Sequence, residues 1–349
     1  MRQMSEIRRM HIKRYRDEYE QWVSFLNDAN IRHEDNVDYT YGVFEGDTLI
    51  ATGSIYQNIL KCIAVCKKYT GGGTLNQLIS FLMNEVLDNG YTNVYVYTKP
   101  SAVESFKYLG FKQIAAVGED LVFLEKAMNG FDRYLERIEP YRKETGVSAA
   151  IVMNANPFTK GHQYLVEYAT LHADHVFVFV LSEDASAFPA HVRRNLVEKG
   201  TAHFANVTVL DTGNYMVSNQ TFPSYFLKED VSVTAVQAAL DATIFKNIAN
   251  VMNITKRFVG EEPYSEATAI YNQALKSVLE PEIRLSIIPR KEITGNVISA
   301  SLVRKALFEN DLELVQKLVP TTTYDYLMSE EGQTLISEIR NGGTSIGKI

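Results

Sequence analysis

From residue 148 onward the chain alternates between two hydrophobic periods. SAAIVM (148–153) and HVFVFVL (175–181) are short, partly β-branched apolar runs of strand length. Between them Tyr164, Leu165, Tyr168 and Ala169 recur at helical spacing. Extended along the chain, the pattern predicts strand 148–153, helix 161–173, strand 175–181, helix 188–200 and strand 207–210. VSVTAVQ and KRFVGEE read as further strands, EATAIYNQALKSVL as a helix and IRLSIIP as a late strand. Strands alternating with helices of this length predict parallel βαβ units and a doubly wound sheet over residues 147–349.

Residues 1–127 follow a different order. YTYGVFEGDTLIATGSIYQNILKCIAV alternates about a turn at Glu45, Gly46 and Asp47, which predicts antiparallel strands. CKKYTGGGTLNQLISFLMNEVLDNG is a glycine-rich turn leading into an amphipathic helix that stops at Gly90. YTNVYVYT reads as a strand, SAVESFKYLG as a short helix and FKQIAAVGEDLVFLEK as a closing hairpin. With a helix first, this is an α+β order. Through the turn, its helix and FKYLGF (106–111) it resembles the GNAT-type acetyltransferase fold. In that fold the turn's N–H groups cradle the pyrophosphate of coenzyme A. Here Thr70 and Leu75 replace the basic or amide residue and the small residue of the usual pattern. MNGFDRYLERIEPYRKETG (128–146) reads as a charged linker helix running to Pro140. The tail RNGGTSIGKI reads as loose, and no internal repeat interrupts the two-domain picture that 349 residues suggest.

Composition narrows the function classes. A net charge of -7 argues against a general nucleic-acid binder, whose footprint is basic. No apolar run nears the roughly 18 residues of a membrane span. The first twenty residues are too charged for a signal peptide. Two cysteines, Cys62 and Cys66 on a strand-like run, predict buried or half-buried thiols rather than a zinc site, and a reducing cytoplasm is the expected home.

The candidate chemistry sits at two helix starts. NANPFTKGHQYLVEYA (154–169) follows the first strand of the α/β half, where open sheets bind ligands. A helix N-terminus favours an anion. Gly161 permits close approach there, while the Thr159 hydroxyl and the His162 N–H can donate to phosphate oxygens. A plain N-cap with an incidental histidine fits the same residues. The second start, ISASLVR (298–304), offers Ser299, Ser301 and the Arg304 guanidinium, although a Ser-capped helix with a surface arginine fits as well.

Taken together, the two starts resemble the paired T/H-x-G-H and I-S-S-T-x-x-R signatures of the nucleotidylyltransferase superfamily. The segments VLSEDASAFPAHVRRNLVEKG, FVGEEPYSEATAIYNQAL, DNVDYTYGVF and LKCIAV extend the match, so that nearly the whole chain resembles the citrate lyase ligase family. That resemblance implies a Rossmann-like nucleotidylyltransferase domain preceded by a GNAT-like one. It implies that ATP with Mg²⁺ and acetate give acetyl-AMP and pyrophosphate. The acetyl group then passes to the prosthetic-group thiol of the citrate lyase acyl-carrier subunit, with no nucleic acid or membrane involved. Carried onto this chain, Thr159, His162 and Arg304 are the expected catalytic residues, and Asn156, Gly161, Gly260, Glu261, Ser299 and Ser301 the expected nucleotide-binding ones. Asn154 shapes the first loop, and Glu262 extends the acidic strand end. Position 302 departs from the pattern, with Leu where a polar or basic residue is usual. Three alternatives stay open: a nucleotidylyltransferase acting on a phosphorylated small molecule, a GNAT-type acetyltransferase, and a non-catalytic interaction module.

Other polar groups carry blander expectations. His172 and His175 read as solvated or capping residues, and Arg193 and Arg194 as a solvated helix face. Ser182, Glu183 and Asp184 follow a strand end and can line the site. NYMVSNQTFPSYFLK is aromatic-rich for a loop and is expected either to contact acetate or the carrier's thiol arm or to pack into a core.

Overall fold

A computed structural model describes residues 5–71, 73–128, 130–183, 186–216, 222–227, 231–261, 266–290, 292–293 and 296–341. Two compact units emerge. One is Met1–Arg133 with Pro223–Val236, the other Tyr134–Phe222 with Gln237–Ile349.

The first unit opens on β1 (Glu6–Met10), not on a helix. The sequence pattern missed this strand because basic side chains occupy its exposed positions. It pairs antiparallel with β2 (Tyr39–Glu45) from the sheet edge, where such side chains are tolerated. After α1 (Arg16–Asp28) come β2, β3 (Thr48–Tyr56) and β4 (Ile59–Val65) as an antiparallel meander. Then follow α2 (Thr74–Asp88), β5 (Asn93–Thr98), α3 (Val103–Tyr108), β6 (Lys112–Val117) and β7 (Leu121–Ala127). The seven strands lie in the order β1-β2-β3-β4-β5-β7-β6. β4 and β5 run parallel and pair only at Ile59 with Tyr95 and Leu60 with Val96, so the sheet forks beyond them. This is the GNAT-like α+β layout. Leu78, Ile79, Leu82 and Val86 along α2 seal one face of the sheet. Gly71 and Gly73 take positive φ in the turn before α2, while Gly72 lies outside the described residues. Cys62 is buried and Cys66 half-buried, both as free thiols. The described part of the aromatic loop joins this unit. Ser224 N–H donates to Glu34 Oε1 at 3.0 Å, and Arg32 N–H to the Tyr225 carbonyl at 2.9 Å. The neighbouring residues 217–221 and 228–230 lie outside the described set.

α4 (Phe131–Ile138) carries the chain into the second unit, where Arg137 grips Asp211 through two hydrogen bonds of 2.8 and 2.6 Å. There β8 (Ser148–Met153), α5 (Lys160–Thr170), β9 (His175–Val180), α6 (Ala190–Thr201) and β10 (Val207–Asp211) alternate as the periodicity predicts. Next are α7 (Val233–Met252), β11 (Ile254–Gly260), α8 (Glu266–Leu279) and β12 (Arg284–Ile288). A short pair, β13 (Glu292–Ile293) and β14 (Asn296–Val297), precedes α9 (Ala300–Glu309). Three more helices follow, α10 (Leu312–Leu318), α11 (Thr321–Met328) and α12 (Glu330–Arg340).

One expectation is overturned here. VSVTAVQ is not a strand but the start of α7. Its β-branched residues favour extension locally, yet Ser232 accepts the Ala235 N–H at 3.3 Å, and Val236, Ala238 and Leu240 are buried as the helix packs.

The sheet order is β10-β9-β8-β11-β12 with every pairing parallel, a doubly wound Rossmann-like layer. The chain leaves β8 toward β9 on one side and returns to β11 on the other, so the switch point lies between β8 and β11. Alternate residues Ala149, Ile151, Met153, Val178, Val180 and Phe258 face one core, shared with α5, α6 and α9. Its tightness shows at Gly200 on α6, where a Cβ would stand 2.4 Å from the Phe158 ring.

Candidate active site

The loops leaving β8 and β11 meet at the switch point, around a cavity of about 190 Å³. Its lining includes Asn154, Thr159, Gly161 and His162 from the first helix start, Gly260 from the end of β11, and Ile298 and Ser299 from the second. It also includes Arg290, which the sequence reading overlooked. A basic residue directly between the end of a late strand and the second motif was the available signal. No carboxylate is among the described lining residues.

His162 is held by its own helix cap. Thr159 is the N-cap of α5, and its buried hydroxyl accepts the His162 backbone N–H at 3.3 Å. In return the ring Nδ1 takes the Thr159 backbone N–H at 3.1 Å and lies 3.0 Å from Thr159 Oγ1. This is a capping box with histidine in the place usually held by Glu or Gln. An Nδ1 that accepts must be unprotonated in the neutral ring, so the proton sits on Nε2. Burial, reinforced by the nearby Arg290 charge, lowers the His162 pKa to about 4. At neutral pH the ring is an uncharged Nε2–H donor. Phe158 stacks on it with centroids 5.8 Å apart, fixing its plane. The Thr159 hydroxyl thus accepts within the cap, and Thr159 also lines the cavity.

Gly161 answers to the second motif. A Cβ there would lie 3.0 Å from the Ile298 carbonyl, so only glycine lets the two helix starts approach this closely. Ser299 caps α9 by accepting the Leu302 N–H at 3.1 Å. Arg304 reaches from α9 across to the first loop, donating from Nη1 to the Asn156 carbonyl at 2.7 Å and from Nη2 to Ser301 Oγ at 3.2 Å. Asn156 spends its side-chain oxygen on the Phe188 N–H at 2.9 Å. Arg304, Ser301, Asn156 and the exposed Glu261 therefore frame the cavity rather than line it. Glu262 and Asp184 lie outside the described residues.

Arg193 corrects another expectation. It is not on a solvated face but fully buried, because all of its nitrogens find carbonyl partners at the C-terminal ends of the strands. Nη1 donates to Leu181 O at 2.7 Å, Asn154 Oδ1 at 2.7 Å and Asn154 O at 3.0 Å, and Nε donates to Phe188 O at 2.9 Å. Nη2 bonds Glu183 O. One side chain thus ties together the loops after β8 and β9. Arg194 pairs at the surface with Glu198 and Asp211. His172 stacks on Tyr168 at 4.1 Å, and the described residues hold no group of three metal-ligating side chains.

Comparison with known proteins assigns the chain to a family. Residues 148–327 match the model of the citrate lyase ligase C-terminal domain. The chain is 36% identical to the [Citrate [pro-3S]-lyase] ligase of Escherichia coli strain K12 over 88% of its own length and 89% of the relative's. This chain belongs to the citrate lyase ligases. Among solved structures, Escherichia coli ElaA aligns with 35% of this ligase and 99% of its own chain, at 14% identity and a TM-score of 0.32. Thermotoga maritima TmcAL bound with alpha-thio ATP aligns with 56% of each chain, at 15% identity and a TM-score of 0.33.

Proposed function

We propose that this ligase activates citrate lyase by acetylating the prosthetic-group thiol of its acyl-carrier subunit, through acetyl-AMP formed from ATP and acetate. The observation that carries the reading is the convergence of two helix N-termini, a neutral His162 donor and Arg290 on one cavity without carboxylates, braced from behind by Arg304. Such a site suits polyphosphate, because the His162 N–H, the Arg290 guanidinium and two helix N-termini all favour an anion, and no carboxylate is among the described lining residues.

In this mechanism an acetate oxygen attacks the α-phosphorus in line, and pyrophosphate departs toward the donor side. His162 Nε2–H donates to a phosphoryl oxygen as its charge grows, and Arg290 and Arg304 offset the charge of the leaving group. His162 does not shuttle a proton, since a ring with a pKa of about 4 is already deprotonated at neutral pH. With no carboxylate among the described lining residues, a Mg²⁺ would enter with the nucleotide rather than on a protein cage, and would supply charge neutralisation at the phosphates. The carrier thiol then attacks the acetyl carbonyl and releases AMP.

ATP–pyrophosphate exchange with and without acetate tests the reading. Acetate-dependent exchange is expected. Exchange that instead requires a phosphorylated acceptor would move the chain's chemistry to plain nucleotidylyl transfer.

A further inference from the structure

The site described above leaves one buried charge unassigned, on the opposite face of its sheet. Arg257, in the middle of β11, is 2% exposed, yet its Nε and Nη1 have no hydrogen-bond partner. Its guanidinium lies 4.5 Å from the centre of the Phe245 ring on α7. Asp241, also on α7, is 7% exposed with Oδ1 unpartnered, while Oδ2 accepts the Tyr271 hydroxyl of α8 at 2.8 Å. Burying two unmet donors and an unmet acceptor within one cluster is costly, and polar atoms so placed are suited to hold a small polar ligand. Burial raises the Asp241 carboxyl to about 6, against the opposing pull of Tyr271 and Arg257.

The cluster stands near the ligand-binding edge of the sheet. At 1.5 Å per helical residue, Asp241 lies about 16 Å above the C-terminal end of α7 at Met252, just before β11 begins. The Arg257 backbone lies only about 10 Å above the start of β11, at 3.3 Å per strand residue. To meet Asp241, the arginine side chain must run toward the C-terminal strand ends. Asp241 also senses Glu183, in the loop that leaves β9 at that edge. Phe258 faces the core shared with α5 and α9, so its neighbour Arg257 faces the opposite side, under α7 and α8. Ala150, its register partner on β8, contributes only a methyl group there.

In-line displacement at phosphorus requires the entering and leaving oxygens on opposite sides. With the pyrophosphate donors on the α5 and α9 side, an acid held on the α7 and α8 side stands opposite the leaving group. We propose that Arg257, flanked by Asp241 and Tyr271, seats the small monocarboxylic acid substrate, an inference that rests on the adenylation reading above. One carboxylate oxygen stays on the guanidinium. The other forms the new bond to the α-phosphorus, the bond from phosphorus to the bridging oxygen breaks, and its electron pair leaves with pyrophosphate. No proton moves. Asp241 repels the bound acid, so it tempers affinity while neutralising Arg257 in the empty site.

The test is ATP–pyrophosphate exchange by the full chain, titrating acetate and ATP separately, with melting curves to establish folding. Arg257→Lys and Arg257→Met are expected to raise half-saturating acetate about tenfold or more, with half-saturating ATP within about twofold of the wild type. Asp241→Asn, which keeps its bond to Tyr271, is expected to lower half-saturating acetate severalfold, a gain that a purely structural aspartate would not produce. A folded Arg257 variant with unchanged acetate saturation overturns the proposal. If neither Arg257 variant folds, Asp241→Asn decides: tighter acetate supports the seat, and unchanged or weaker acetate overturns it. A wild type without acetate-dependent exchange sinks the adenylation reading instead. Acetate-induced thermal shifts then judge the seat alone: a shift lost in Arg257→Met and enlarged in Asp241→Asn supports it, and no wild-type shift, or one unchanged in Arg257→Met, removes it.

Discussion

Replacing His162 with Asn separates the two duties of the ring. The Asn side-chain oxygen can take the place of Nδ1 and accept the Thr159 N–H now bonded at 3.1 Å, but nothing replaces the donor at Nε2. The cap should therefore survive, with a stability change within about 1 kcal/mol. Losing one preorganised donor to developing charge should cost about 3 kcal/mol in the transition state, or a rate reduction of roughly 10²- to 10³-fold. A second signature comes from titration. The folded pKa of about 4 lies below the ordinary histidine value, so the unfolded chain binds the proton first as pH falls. Stability is intact above about pH 6.5 and declines as pH drops toward about 4, by an amount of order 1–2 kcal/mol at pH 5 for a partly exposed ring. The Asn variant should lack this component. Single-turnover acetyl-AMP formation and melting curves at pH 7 and pH 5 measure both effects. Adenylation within about threefold of the wild type would refute the donor role, and an unchanged acid limb would refute the buried-ring account.

Arg304→Met should lower kcat/KM by about 10- to 10²-fold, because it removes a charged hydrogen bond to the Asn156 carbonyl as well as a nearby cation; steady-state exchange measures it. Gly161→Ala gains about 0.5–1 kcal/mol of helix propensity but drives a Cβ against the Ile298 carbonyl, so activity should fall at least about tenfold with little change in melting temperature. Arg193→Met should destabilise the fold by about 3–5 kcal/mol in urea unfolding, since it strands several buried carbonyls around the loops after β8 and β9.

The Rossmann-like alternation from β8 to β10 was legible because it is written in local periodicity: SAAIVM and HVFVFV need no partner to read as buried strands. Both helix starts were legible for a similar reason, since Thr159 and Ser299 cap helices within three residues of themselves. The start of α7 was not, because VSVTAVQ prefers extension locally and is helical only through packing. Nor does the sequence reveal that residues 223–236 join the first unit, a contact between segments far apart in the chain.

At the site, residue types alone determined that donors and cations gather at two helix N-termini. Tertiary structure decided what each does. It made Thr159 the cap that sets the His162 tautomer, and gave Gly161 its reason in a carbonyl 137 residues away. It buried Arg193 against carbonyls and left Arg257 buried without enough of them. A charged side chain reads as solvated until the fold shows how many partners surround it. Desolvation and hydrogen-bond satisfaction belong to the packed environment, not to the residue.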